Sequence, residues 1–176
     1  MKAKLRECKN SLSIHEQIAR GISPFQPEKV AFEAGRIMLN RIQELLNNNE
    51  SFAFETTLST RSYIHTILEA KAKGYAITLL FLWLQSIELA KERVLIRVKE
   101  GGHNIEPDII ERRYTKGIKN LYDLYLPIVD NTFIYDNSSG DYELIAQKVT
   151  EDHFEIIVQE KYNTIKRYYD KLRKTN

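Results

Sequence analysis

The chain has 176 residues, 43% hydrophobic and 28% charged, which excludes a disordered polymer and fits one domain with a real core. Its 26 Lys and Arg nearly cancel 24 Asp and Glu, leaving a net charge of +2, so no whole-molecule field draws in nucleic acid and any phosphate site must be local. Cys8 is the single cysteine and has no internal partner, the start MKAKLRECKN lacks the apolar run of a signal peptide, and Ala76 to Leu84 is too short to cross a bilayer. The expectation is a cytoplasmic protein without membrane contact.

In chain order, Ser23-Pro24-Phe25-Gln26-Pro27 reads as a turn feeding a helix, with Pro27 near its first position. Val30, Ala34, Ile37, Met38, Arg41, Ile42 and Leu45 carry that helix at helical spacing to about Leu46, and Asn47-Asn48-Asn49 ends it. A short strand is expected over Ser51–Glu55. An amphipathic helix runs next from Thr60 to Lys73, with Gly74 in the C′ position. Ala76 to Trp83, apolar almost without interruption, predicts a parallel strand covered on both faces, and Ser86 caps a helix running to about Glu100.

Beyond Gly101-Gly102 the pattern predicts a helical segment near Asp108–Tyr125 interrupted around Gly117. Strands at Thr132–Tyr135 and Tyr142–Val149 flank a Ser138-Ser139-Gly140-Asp141 turn, and a charged helix covers Asp152 to Arg173. Strands alternating with helices imply a three-layer α/β fold on a mostly parallel sheet. Nothing divides residues 1–176 into more than one domain.

In such sheets ligands bind beyond the carboxyl ends of the strands. Glu55-Thr56-Thr57 comes directly after the first expected strand and offers a carboxylate and two hydroxyls to a polar substrate; the same residues also suit a helix cap. Arg93 and Arg97, four apart on one helix face, and Arg112-Arg113, beyond the Gly101-Gly102-His103 turn, form two guanidinium pairs about an expected hinge. Such forks match phosphate oxygens, and they equally suit a solvated face laced with Glu92 and Glu100. His103 is assigned a capping role. His15, His65, His103 and His153 are scattered, so no metal site is expected. Tyr122, Tyr125, Tyr168 and Tyr169 read as helix faces packed on the sheet.

Several of these segments, in unbroken order, resemble the zeta-toxin family of P-loop kinases. They run from Ile18-Ala19-Arg20-Gly21-Ile22-Ser23-Pro24-Phe25 through Glu33-Ala34-Gly35-Arg36, Phe54-Glu55-Thr56-Thr57-Leu58-Ser59 and Phe81-Leu82-Trp83-Leu84. They continue in Gly101-Gly102-His103-Asn104-Ile105, Arg112-Arg113-Tyr114 and Asp136-Asn137-Ser138. The resemblance implies a nucleotide-kinase-like P-loop fold and an ATP- and Mg2+-dependent transfer of phosphate to a small acceptor, in zeta toxins a UDP-activated amino sugar. It implies that Glu55, Thr56 and Thr57 meet the acceptor. Arg93, Arg97, Arg112 and Arg113 would form a lid over the transferring phosphate, with Arg97, Arg112 and Asn137 at the nucleotide. An antitoxin or neighbouring protein is the implied partner.

The sequence departs from the family in three ways. The seven glycines, at 21, 35, 74, 101, 102, 117 and 140, precede no Lys-Ser or Lys-Thr pair, so the Walker A loop is absent from these 176 residues, together with the strand that leads into it. Residues 1–13 match only the tail of the helix after that loop and a degraded next strand. Ile14-His15-Glu16 stands where relatives read Asn-Ala-Asp, so Glu16 would supply the catalytic carboxylate from one methylene farther out, a displacement of about 1 Å that can weaken catalysis about a hundredfold. Ile105-Glu106-Pro107 replaces Ile-Pro-Glu at unchanged length. The expectation is a zeta-toxin-like phosphotransferase that is silent as an isolated chain, or a non-catalytic binding protein of that descent.

Overall fold

The computed structural model describes residues 31–102, 104–150 and 153–174. Glu16, His103 and the 1–13 segment lie outside the described residues. The chain divides into two compact units, Met1–Thr56 and Thr57–Asn176.

In the first unit, α1 spans Ala31–Asn47. Ala34, Met38, Ile42 and Leu46 form its buried stripe at four-residue spacing. The Asn run ends it as expected. Asn49 takes a left-handed φ of 56°, and the amides of Asn49 and Glu50 donate back to Leu46 and Leu45 at 3.3 and 3.0 Å. The strand expected over Ser51–Glu55 is not formed. Phe52 and Phe54 alternate with exposed neighbours and stack at 6.4 Å, but a strand exists only where a ladder partner accepts its hydrogen bonds, and none is present among the described residues.

In the second unit, α2 (Tyr63–Ala72) leads to β1 (Thr78–Trp83), α3 (Ile87–Lys99) and α4 (Pro107–Asn120). A single π turn at Leu121–Tyr125 precedes β2 (Asn131–Asp136), β3 (Glu143–Thr150), β4 (His153–Ile156) and α5 (Gln159–Lys174). The helix across Asp108–Asn120 is continuous. Gly117 does not break it but admits the backbone of Thr57, whose carbonyl oxygen lies 2.9 Å from where a Cβ would sit. The final helix starts at Gln159, later than Asp152, because His153-Phe154-Glu155-Ile156 alternates with period two and pairs with β3.

The sheet runs β1-β2-β3-β4. Only β1 and β2 are parallel; β2–β3 and β3–β4 are antiparallel, so the described sheet is mixed instead of mostly parallel. Connection length decides this. Two helices separate β1 from β2, whereas β2–β3 and β3–β4 are joined by turns too short for a parallel return. Trp83 is buried, but Leu80 and Leu82 are each 48% exposed, so β1 is not covered on both faces.

Thr132, Ile134 and Asp136 alternate inward on β2. Ile134 joins Ile118, Leu121 and Tyr125 from the helix–π segment, Ile145 and Ala146 from β3, and Ile165 and Tyr169 from α5 in one core. Each fully buried aliphatic side chain contributes about 1.5–3 kcal/mol. At the amino ends of the parallel pair, Asp130 accepts from the Ile77 amide at 2.7 Å and pairs with Lys71 at 2.8 Å. The amide bond first, then the ammonium, hold its carboxyl below the usual range.

Candidate functional site

The carboxyl ends of β1 and β2 lie side by side, with Trp83 opposite Asp136. From here the chain leaves by two short segments that bond to each other. The Asn137 amide donates to the Trp83 carbonyl at 2.9 Å, and the Gln85 amide donates to the Ser138 hydroxyl at 2.9 Å. Ser86 then caps α3, accepting from the Leu89 amide at 3.1 Å.

Helices α3 and α4 each turn one stripe toward a cavity of about 330 Å³ above Phe81 and Trp83. From α3 come Ala90, Arg93, Val94 and Arg97; from α4 come Ile110, Arg113, Tyr114, Gly117 and Ile118. Both sets obey the i, i+3, i+4, i+7 rule of a helix face. Thr57 completes the lining. Its placement depends on a strained corner: Leu58 is buried with φ at +58°, a conformation that costs a non-glycine residue about 1–3 kcal/mol. The Asn120 side-chain amide holds that corner by donating to the Leu58 carbonyl at 2.8 Å.

Thr57, Arg93, Arg97 and Arg113 are therefore brought together. Arg112 is exposed and absent from the cavity lining. Glu55 and Thr56 are exposed residues of the first unit. Asn137 acts through its backbone. Its carbonyl, and that of Ser138 at 3.4 Å, accept from Arg93, so Arg93 latches α3 to the end of β2 as well as lining the cavity.

The Gly101-Gly102 turn closes α3 as a helix cap. Gly101 has φ +88°, its amide donates to Val98, and the Gly102 amide donates to Arg97 at 2.7 Å. A Cβ on Gly102 would meet the Arg97 carbonyl oxygen at 2.6 Å. Pro107 then occupies the first turn of α4.

Two contributors lie in segments that carry the family resemblance but have no role assigned from the sequence. Tyr114 donates to the Leu84 carbonyl at 2.7 Å, and burial pushes its phenol up to about 12, so at neutral pH it is a fixed donor and not a base. Asp136 is buried, pairs with Lys161 at 2.5 Å and accepts from the Ser138 amide at 2.8 Å. Burial pushes its pKa up, but Lys161 and Ser138 outweigh that and hold it below the usual carboxylate range. The signal available in the sequence was a lone acid ending an apolar strand.

Three guanidinium groups, the Thr57 and Tyr114 hydroxyls and no carboxylate suit phosphoryl oxygens. They do not suit magnesium, which takes oxygen ligands and usually one or two carboxylates. Among the described residues no three His, Cys, Asp or Glu converge as a metal site, and no helix is long and apolar enough to cross a membrane.

No solved structure matches the chain. It is 32% identical over 99 residues to an uncharacterized protein of Haemophilus influenzae, an alignment covering 56% of this chain and 71% of that protein. The sequence profile described as Zeta toxin matches residues 25–165. The match spans most of the chain and contains every wall of the cavity, and this protein belongs to the zeta toxin family.

Proposed function

We propose that the α3–α4 cavity binds the phosphate-bearing part of a small sugar-nucleotide or nucleoside-like molecule, with Arg97 and Arg113 meeting phosphoryl oxygens and Thr57 meeting a substrate hydroxyl. The observation that carries this is the convergence of those three residues on one cavity beyond the carboxyl end of β1, among apolar lining residues such as Phe81, Val94 and Ile110. Arg93 is a positioning residue, because its guanidinium is engaged by the Asn137 and Ser138 carbonyls. The family supplies the activity class, a kinase-like or toxin-like domain.

These 176 residues contain no Walker A loop, and the cavity wall offers magnesium no carboxylate. The chain therefore binds its acceptor without transferring phosphate, and turnover requires a phosphate-binding loop from elsewhere. Binding without catalysis is further favoured by the use of one lid arginine as a structural latch.

Calorimetric titration tests this with a UDP-activated amino sugar and, separately, with Mg-ATP. The sugar nucleotide is expected to bind at about micromolar to millimolar Kd, weakened at least about tenfold in Arg113→Gln. Mg-ATP is expected to give no saturable heat. Tight Mg-ATP binding, or no sugar-nucleotide binding, overturns the proposal.

A further inference from the structure

A second cavity, of about 240 Å³, shares Trp83 and Tyr114 with the first and opens between α4 and α5. Its α5 side is one continuous stripe: Thr164, Arg167, Tyr168 and Lys171 fall on three successive turns of a single face. The opposite face of α5 puts Ile165 and Tyr169 into the core, so the phase of that stripe is fixed by packing. Gln85 lines the strand side, and no Asp or Glu lines the cavity.

The walls are held before any ligand arrives. Tyr114 is bonded to Leu84, Tyr168 shares a 3.1 Å hydrogen bond with Thr115, and the two rings meet edge to face at 5.6 Å and 85°. Arg167 bonds the Asn163 carbonyl and the Thr164 hydroxyl, each at 3.3 Å. These two bonds orient the guanidinium and use only part of its five-donor fork.

We propose that this cavity is a binding site for a small phosphomonoester bearing one ring, of the sugar-phosphate class. The phosphate lies between Arg167 and Lys171, which supply a planar fork and a point charge in a wall without carboxylates. The ring packs into the apolar corner made by the perpendicular Tyr114 and Tyr168 rings. The volume falls below the roughly 300 Å³ at which pockets for drug-sized ligands begin, which fits one ring and one phosphate. The site is independent of what the α3–α4 cavity binds.

The chain reports on the site itself, because Trp83 is its single tryptophan and lines the cavity. Titration with ribose 5-phosphate, monitored by tryptophan fluorescence, is expected to saturate with a Kd of about 0.1–10 mM. Ribose is expected to give no change, and inorganic phosphate to bind at least about tenfold more weakly. The double variant Arg167→Gln/Lys171→Gln, both at exposed positions, is expected to lose at least about tenfold in affinity with an unchanged circular dichroism spectrum. Arg113→Gln, in the other cavity, is expected to bind ribose 5-phosphate normally. The proposal is overturned by non-saturable fluorescence, by full affinity in the double variant, by inorganic phosphate matching ribose 5-phosphate, or by the loss appearing in Arg113→Gln instead.

Discussion

Helices α3 and α4 wall the same cavity, yet they are attached to the molecule by different physics. From α4, Ile110, Gly117, Ile118 and Asn120 are buried. No residue of α3 is buried, and Leu95 and Ile96 are 59% and 48% exposed. What holds α3 is polar: the Ser86 cap, the Arg93 latch, the Lys91–Glu111 ion pair and the glycine closure at its end. Two of the three cavity arginines thus sit on a wall fixed by individually modest bonds. The third stands on a helix rooted in the core. Segments with few buried apolar contacts open locally at lower free energy than core elements, so the ligand-facing part of α3 is the compliant side of the site.

The two helices separate most clearly when the core is cut. Ile118→Ala removes a side chain 1% exposed and is expected to cost about 2–5 kcal/mol, whereas Leu95→Ala on α3 is expected to stay within about 0.5 kcal/mol. Urea midpoints of the two variants check this directly. Equal losses would show that α3 is anchored after all.

Asn120→Ala should come next, at about 1–3 kcal/mol, because the buried Leu58 carbonyl loses its donor. Leu58 then loses one of the bonds that hold it at positive φ, so Thr57 should move and substrate affinity should fall together with stability. Gly117→Ala attacks the same corner from the helix side, where the added methyl meets the Thr57 carbonyl oxygen. An Asn120→Ala protein of normal stability would mean that the amide bond does not hold the corner.

Acid separates the floor of the site from its α3 wall. Asp136 has a folded pKa below the ordinary value near 3.9. Its stabilising contribution is therefore complete above that value and is lost as pH falls through the lower folded one. Lys161, raised by Asp136 and Glu143, behaves oppositely: its contribution is complete below about 10.4 and is lost as pH rises through the higher folded value. The stability gap between the protein and Asp136→Asn should be widest near neutrality and shrink as pH falls below about 4. A gap constant with pH would mean that the ion pair does not stabilise the floor.

Much of the fold was legible because its signals are local. The apolar run of β1, the Ser86 cap, Gly74 and Gly101 just beyond helix ends, and the Ser138–Asp141 turn all act within a few residues. The Ser51–Glu55 strand failed because Phe52 and Phe54 declare an alternation but not a ladder partner, and β4 was hidden because a charged helix pattern extends back over two of its polar residues. At the site, the grouping of Arg93, Arg97 and Arg113 was legible, whereas Arg112 lies outside the cavity lining. Adjacent helix positions point about 100° apart, and only the observed phase of α4 says which of two neighbouring arginines faces inward. The Arg93 latch was not legible, since its acceptors are backbone carbonyls 44 and 45 residues away.

The smallest expected effect is the most direct test of what α3 rests on. Lys91 and Glu111 meet at 3.0 Å across the two walls, with 32% and 54% of their side chains exposed. At that exposure, solvent screening leaves a pair worth about 0–1 kcal/mol. Lys91→Met keeps the aliphatic stem and should change stability by less than about 0.5 kcal/mol, with no dependence on added salt. Arg93→Met should leave the urea midpoint almost as little changed, yet raise amide exchange along α3 and weaken ligand binding, because it strips donors from two carbonyls at the end of β2. If Lys91→Met instead loosens α3 as much as Arg93→Met does, the wall is held by its charges to α4 and moves with that helix, and the compliance assigned to it disappears.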